Sequence, residues 1–333
     1  MKSIKGYLLF ISCLFLVANS LYAEEVTILY SGQTHAMLYP CSCPIQQEGG
    51  VARRGTLIKE LRRNYPNLLL LDCGSFTAGG LLDENTQSTR LDRQRSENNF
   101  QAMQLLQYDA VGISPDEFNF DKDFFLANAS RNNPVFLSAN LDSDKVSPYI
   151  IKEVNGIKIA IIGLTNLAAN EKSEGIKISE PESVKKIINL LKRQQVKLIV
   201  VLSTLGEKED LKLIFKVKGI DLIFVGWSPL KGESLTKVDA TYFLRPAWQG
   251  RKLGKITLQI EQGKLIDCKV EMIGLSDKIA DDLAVSKILP RCYSNVNCRK
   301  TGLVGSCRNP GELESECFFK HPEKEELNKL IKK

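Results

Sequence analysis

The stretch NLLLLDCGS, residues 67–75, sets four consecutive leucines against a closing aspartate, cysteine, glycine and serine. A run this short, apolar on both faces and ended by turn residues, reads as a strand covered on both sides. Six further runs repeat the pattern: VTILY (26–30), YDAVGI (108–113), PVFLSA (134–139), IKIAIIGL (157–164), KLIVVLS (197–203) and DLIFVG (221–226). Between them, VARRGTLIKELRRNY (51–65) sets Leu57, Ile58 and Leu61 on one helical face, and PESVKKIINLLKRQQ (181–195) does the same with Val184, Ile187, Ile188 and Leu191. Strands alternating with amphipathic helices predict an α/β architecture with buried sheets. Beyond residue 238 the pattern turns local: TYFLR (241–245) precedes KLGKITLQIEQGKLIDCKVEMIG (252–274), a hairpin turning at Glu261–Lys264.

The ends of the chain differ from this body. Residues 1–23 carry two lysines, an apolar run and a small residue at Ala23, the layout of a cleaved signal peptide. Cys13, inside that run, offers a lipoprotein alternative. Export to the periplasm or medium is expected, with no later run near the roughly 20 apolar residues of a spanning helix. The net charge of +6 falls to +4 without Lys2 and Lys5, and the remaining lysines are interspersed with acids, so no nucleic-acid partner is expected. Eight of the nine cysteines remain after cleavage, and an oxidising compartment makes disulfides the default. The α/β body is read as residues 24–289. Residues 290–320 hold Cys292, Cys298, Cys307 and Cys317 among Gly, Pro and Asn, a small module that needs two disulfides to hold together. Three pairings are open, and zinc is the weaker reading because no CxxC pair is present. Residues 321–333 form a charged tail in which His321 has no role.

In open α/β sheets ligands collect beyond the carboxyl ends of strands. There the chain reads SGQTH (31–35), DCGS (72–75), SPDEF (114–118), ST (203–204) and WSP (227–229). With GGVARRGTLIKELR, FLSANL, IIKEVNGIKIAIIGLTN, IVVLSTLGEKEDL and GIDLIFVGWSP, these segments run in order over residues 26–260. They resemble the periplasmic 5'-nucleotidase and UDP-sugar hydrolase family, whose catalytic part is a calcineurin-like metallophosphoesterase domain. The resemblance implies a four-layer α-β-β-α sandwich. It also implies a dinuclear metal site made by an aspartate and a histidine after the first strand, an aspartate after the second, an Asn-His pair after the third, and later histidines. At those positions stand Gln33 with His35, then Ser75, Pro115 with Asp116, and Thr204, Trp227 and Pro229. The chain has only two histidines, His35 and His321. Dinuclear phosphoester chemistry needs two cations roughly 3.5–4 Å apart held by several anionic and imidazole ligands. The hydrolase site is therefore expected to be lost and no cofactor is expected, although Asp116, Asp72, Gln33 and His35 keep open a weakly held divalent ion. The family's nucleoside-binding domain is also expected to be replaced by the cysteine module.

Three cysteines stand at this rim. Cys41 and Cys43 form a CxC in the loop leaving the first strand, and Cys73 follows the second. A sub-group of UshA-like (seleno)proteins is similar, with cysteine or selenocysteine just before a Gly-Gly-x-Ala-Arg-Arg run like Gly49–Arg54. A Cys41–Cys43 disulfide would close a very small, strained and exchange-prone ring, its thiolate favoured by Arg53, Arg54 or the following helix start. The alternative is a structural staple, Cys41 or Cys43 pairing with Cys73 and the other with Cys268. Arg53 and Arg54 are read either as an anion site or as solvated and paired, Gly49-Gly50 as a turn into the helix, Trp227 and Trp248 as packing, and Asn128-Ala-Ser130 as a glycosylation acceptor. Function then divides into thiol-disulfide exchange with a redox partner protein, binding of a small-molecule ligand or partner, and hydrolysis of phosphate esters through an unorthodox metal site.

Overall fold

A computed structural model describes residues 24–41, 47–129, 133–228, 234–300 and 303–318. The leader with Cys13, Cys43, Ser130, Pro229 and the tail with His321 lie outside the described residues. All seven apolar runs form strands: β1 (Glu24–Ser31), β2 (Leu69–Asp72), β3 (Ala110–Gly112), β4 (Val135–Leu137), β6 (Ile157–Leu164), β7 (Leu198–Ser203) and β8 (Leu222–Val225). Strand β5 (Tyr149–Val154), whose side chains are mostly half-exposed, pairs antiparallel with β6. The later strands are β9 (Ser234–Val238), β10 (Thr241–Arg245), β11 (Lys252–Glu261) and β12 (Lys264–Gly274), the last two joined through the Glu261–Lys264 turn.

Two six-stranded sheets result, ordered β12-β11-β1-β2-β3-β4 and β5-β6-β7-β8-β10-β9. The period of two along each strand sorts side chains into layers. On β1, Val26, Ile28 and Tyr30 point into the space between the sheets, where they meet Ile159, Ile161, Val200, Leu202 and Phe224. Leu29 points the other way, into a cluster with helices α1 (Val51–Asn64), α2 (Thr89–Leu105) and α3 (Lys122–Ala129). On the far side Ile162, Ile199, Val201 and Ile223 pack on α4 (Val184–Arg193) and α5 (Glu207–Lys216) through Val184, Ile188, Leu191, Leu213 and Ile214. The molecule is a four-layer α-β-β-α sandwich.

The sheets meet at backbone distance near the carboxyl ends of their strands. A Cβ at Gly163 would lie 2.0 Å from the Leu137 carbonyl oxygen, and one at Gly226 only 1.7 Å from that of Cys73. Both glycines have ordinary φ, so it is the approach of another main chain that demands them.

After α6 (Leu283–Ile288), which packs on α1 and α2, the chain enters short hairpins built from β13 (Arg299–Lys300), β14 (Leu303–Val304), β15 (Ser306–Arg308) and β16 (Glu316–Phe318). Disulfides join Cys292 to Cys307 and Cys298 to Cys317, which selects one of the three pairings. Tyr293 fixes this segment to the body by donating to Asn98 Oδ1 at 2.6 Å, while Tyr39 Oη donates to the Pro290 carbonyl. No helix among the described residues is long and apolar enough to cross a membrane.

Gly163→Ala tests the sheet-to-sheet contact. Forcing Leu137 away should destabilise the protein by about 3 kcal/mol, read as a lower urea midpoint; an unchanged midpoint would mean that the sheets yield at no cost.

Candidate functional site

The loops leaving β1 and β2 are zipped together. Gln33 N–H donates to Gly74 O at 2.8 Å, His35 N–H to Ser75 O at 3.0 Å and Ala36 N–H to Phe76 O at 2.9 Å. This ladder forces Gln33, His35, Ala36 and Ser75 to φ values of 45–56°, a left-handed region costly for residues with a Cβ. Arg95, from α2, holds the loop from below, donating to His35 O at 2.9 Å and to Asp92 Oδ1 at 2.8 Å, with Asp83 Oδ2 at 3.2 Å. Buried acids and the guanidinium thus neutralise one another beneath His35.

The structure brings together most of the predicted positions. Gln33 Oε1 accepts from Ser228 N–H at 3.2 Å. Ser75 Oγ donates to Ser114 Oγ at 3.1 Å, and Thr204 Oγ1 donates to the Ile113 carbonyl at 2.7 Å. Trp227 stands half-buried past the end of β8, Pro115 opens a one-turn helix over Pro115–Phe118, and Pro229 lies outside the described residues. Each of Gln33, Ser75 and Thr204 is neutral, buried and bonded within the protein. Asp72 is likewise committed, accepting from Ser31 Oγ at 2.6 Å and Gly74 N–H at 2.9 Å. These donors do not suit a dinuclear cation centre.

His35 and Asp116 are the exception. The imidazole packs on Trp248 with ring centroids 5.0 Å apart, and neither ring nitrogen has a hydrogen-bond partner among the described residues. Nδ1 lies 4.0 Å from Asp116 Oδ2, which is also unpartnered, while Asp116 Oδ1 is 3.9 Å from Lys172 Nζ. Burial lowers the His35 pKa to about 4 against the attraction of Asp83, and burial raises that of Asp116 against the pull of Lys172. A neutral imidazole facing one carboxylate can hold a water or one hard cation, not a pair of ions.

The cysteines separate. Cys73 is wholly buried in the layer between the sheets, where burial raises its pKa well above the usual thiol range. It is a free thiol, as is Cys268 on β12, which corrects the staple reading: neither pairs with the CxC loop. Nor does Cys73 stand at a rim, because β2 delivers it inward. Cys41 instead lines a cavity of about 480 Å³ together with Tyr39, Arg95, Gln249, Arg251 and Tyr293. Its N–H donates to Glu48 O at 2.8 Å, and its Sγ accepts from Glu48 N–H at 3.4 Å.

The two arginines point to different places. Arg53 Nη1 donates to Gln47 O at 2.9 Å. Arg54 is buried and heads a chain in which Nη1 meets Tyr108 Oη at 3.3 Å, and Tyr108 Oη meets the Ser31 hydroxyl that bonds Asp72. Sequence reasoning missed Arg95, Asp83, Asp92, Gln249 and Arg251. Helix α2 is polar and carries a weak apolar face, so the sole signal was an arginine three residues after an aspartate.

No family model matches the chain. Among characterised proteins it is 26% identical over 368 residues to a snake venom 5'-nucleotidase of Naja atra, covering 91% of this chain and 67% of that one. It is 30% identical over 203 residues to a 5'-nucleotidase of Vibrio cholerae, covering 56% of this chain and 34% of that one. Of solved structures, a 5'-nucleotidase precursor of Thermus thermophilus superposes with a TM-score of 0.68 at 24% identity, over 80% of this chain and 57% of that chain. The calcineurin-like phosphoesterase YfkN of Bacillus subtilis gives 0.63 at 23% identity, over 80% and 96%. The chain thus spans about a third to two thirds of most of these relatives.

The depressed pKa of His35 fixes a pH dependence. Between pH 6.5 and about 4 the unfolded chain takes up a proton on His35 that the folded protein refuses, so stability falls on acidification through that window. His35→Asn tolerates the left-handed φ and should remove up to about 3 kcal/mol of that slope; superimposable stability–pH curves for the two proteins would show that the imidazole titrates freely.

Proposed function

Since this chain belongs to the 5'-nucleotidase family of calcineurin-like phosphoesterases, we propose that it is an exported, non-hydrolytic member whose chemistry has moved from metal-bound water to the Cys41/Cys43 loop. The observation that carries this reading is the commitment of Gln33, Ser75, Thr204 and Asp72 to bonds inside the protein, while Cys41 lines an adjacent cavity. Two-metal hydrolysis needs anionic ligands around both ions and their bridging water. Here one imidazole and one carboxylate oxygen remain without hydrogen-bond partners among the described residues, enough for a weakly held ion at His35 and Asp116 and too little for that chemistry.

In its oxidised form the cysteine couple accepts two electrons from a dithiol partner. A substrate thiolate attacks one sulfur of the Cys41–Cys43 bond, forming a mixed disulfide and releasing the other cysteine as a thiolate. A second substrate thiolate then displaces the first sulfur, leaving a substrate disulfide and a reduced couple. Arg251, on the wall of the same cavity, supplies the cation nearest in kind to what such a thiolate needs, because Arg54 is turned inward and Arg53 is held by main-chain carbonyls. A second reading, a binding protein whose cavity takes a ligand without redox change, is favoured by the cavity alone.

Differential alkylation with peptide mapping across a glutathione series decides between them. Cys41 and Cys43 should interconvert at a mild potential, while Cys292, Cys298, Cys307 and Cys317 stay paired and buried Cys73 stays unlabelled until unfolding. Cys43→Ser should fold normally and lose reactivity toward a small aromatic disulfide; undiminished reactivity would sink the redox reading. The purified protein should also show no turnover of nucleotides or UDP-sugars with Mn, Zn, Mg or Ca, and metal-dependent turnover would restore hydrolysis.

A further inference from the structure

Arg54 breaks the apolar stripe of its own helix. Stepping back from Leu61 through Ile58 and Leu57 by three or four residues reaches Arg54 and then Val51, so the buried face of α1 carries a guanidinium in its first turn. The side chain is 2% exposed and is among the largest that the fold encloses. A buried charge needs an opposite charge or a full set of hydrogen bonds. Arg95, equally deep, lies against Asp83 and Asp92. Arg54 meets no carboxylate among the described residues, and its one side-chain hydrogen bond runs from Nη1 to Tyr108 Oη at 3.3 Å. Nε and Nη2 are buried without partners. The carboxylate linked to it, Asp72, stands two hydroxyls away, with its oxygens taken by Ser31 Oγ and Gly74 N–H. Burial raises the Asp72 pKa against the pull of Arg54, which makes it a poor counter-charge.

Other unsatisfied groups gather at the same place. A Cβ at Gly250 would lie 2.7 Å from Arg54 Nη2 and 3.1 Å from Thr34 Cγ2, so one glycine, at φ 61°, is packed against both side chains. Thr34 is 1% exposed, and its Oγ1 also has no partner among the described residues. The next residue, Arg251, keeps Nε buried and unpartnered while Gln249 Oε1 holds its Nη2 at 2.7 Å. Two guanidinium N–H groups of Arg54 and a hydroxyl are thus collected with no acceptor, and a second cation without a carboxylate partner flanks them. One uncompensated guanidinium calls for one negative charge. Walls this close exclude a phosphate and admit an ion of halide size.

We infer that Arg54 and Thr34 bind a halide-sized inorganic anion, chloride being the type, buried between α1 and the turn Trp248–Gly250. Bound there, the ion ties the helix to the turn that sets Trp248 on His35 and Gln249 N–H on Gln33 O. It supports the candidate site from behind without reacting in it, and it is independent of the redox reading.

Urea unfolding of the full-length protein, at fixed ionic strength while gluconate is replaced by chloride, reads the site. An ion that binds only the folded form lowers the unfolding constant about tenfold for each tenfold rise above its dissociation constant, whereas screening at constant ionic strength gives a flat line. Arg54→Met, which completes the apolar stripe, should abolish the response. Thr34→Val, which keeps the shape and removes the hydroxyl, should weaken binding about tenfold, one charge-assisted bond being lost, and it serves if the first variant does not fold. Anomalous scattering from wild-type crystals grown in bromide should place one ion against Arg54 and Thr34. A flat response, a response that both variants keep, or bromide found only at the surface overturns the site and leaves Asp72 as the counter-charge. A response removed by Arg251→Gln and kept by the other two variants moves the ion to the Cys41 cavity and overturns it equally.

Discussion

The whole arrangement depends on the contact of two main chains at Gly163 with Leu137 and at Gly226 with Cys73. Sheets normally pack about 10 Å apart with side chains between them. Here the strand ends converge until carbonyls lie where a Cβ would stand, so the loops leaving β1, β2, β3, β7 and β8 are delivered to one place. The polar groups of those loops must then be satisfied by each other, because little water reaches them. The ladder from Gln33, His35 and Ala36 to Gly74, Ser75 and Phe76 is that satisfaction, and its left-handed residues are its cost.

The same closeness explains how neutral residues at the strand ends are satisfied without solvent. Cations and carboxylates balance one another only while both are present; with neutral residues at these positions, an empty charged centre would have no compensation. Gln33, Ser75 and Thr204 turn their polar atoms to Ser228, Ser114 and Ile113 instead, and Trp248 closes over His35. Charge persists where it is internally paired, as with Arg95 between Asp83 and Asp92.

How much of this was readable in one dimension follows from what each feature depends on. Strands such as Ile157–Leu164 are apolar because both faces are covered, and that signal is local. Strand Tyr149–Val154 lies at a sheet edge with half-exposed residues and gave no comparable run. Helix Thr89–Leu105 buries Asp92, Arg95, Ser96 and Asn99 in its first turns and apolar Phe100, Ala102 and Met103 only toward its end, so hydrophobic periodicity missed the element that supports the site. Cys73 was placed at a rim because it follows a strand; whether a residue just past a strand end points inward is decided by the opposing sheet, which sequence does not display. The module's need for two disulfides was compositional, while their pairing depended on which hairpins register.

The module's position is the last link. A segment with so little apolar content adds Tyr293 to the core of the body, and it is cross-linked twice and fixed to the body through Tyr293, Asn98 and Tyr39. Crosslinks act mainly by removing unfolded conformations, so they are most useful where a short polar segment must keep one shape without a core of its own. The shape kept here is a wall facing the loop that carries Cys41, two residues beyond the tyrosine the module holds. The loop and the wall are therefore positioned by one set of contacts, and a change at either reaches the cavity between them.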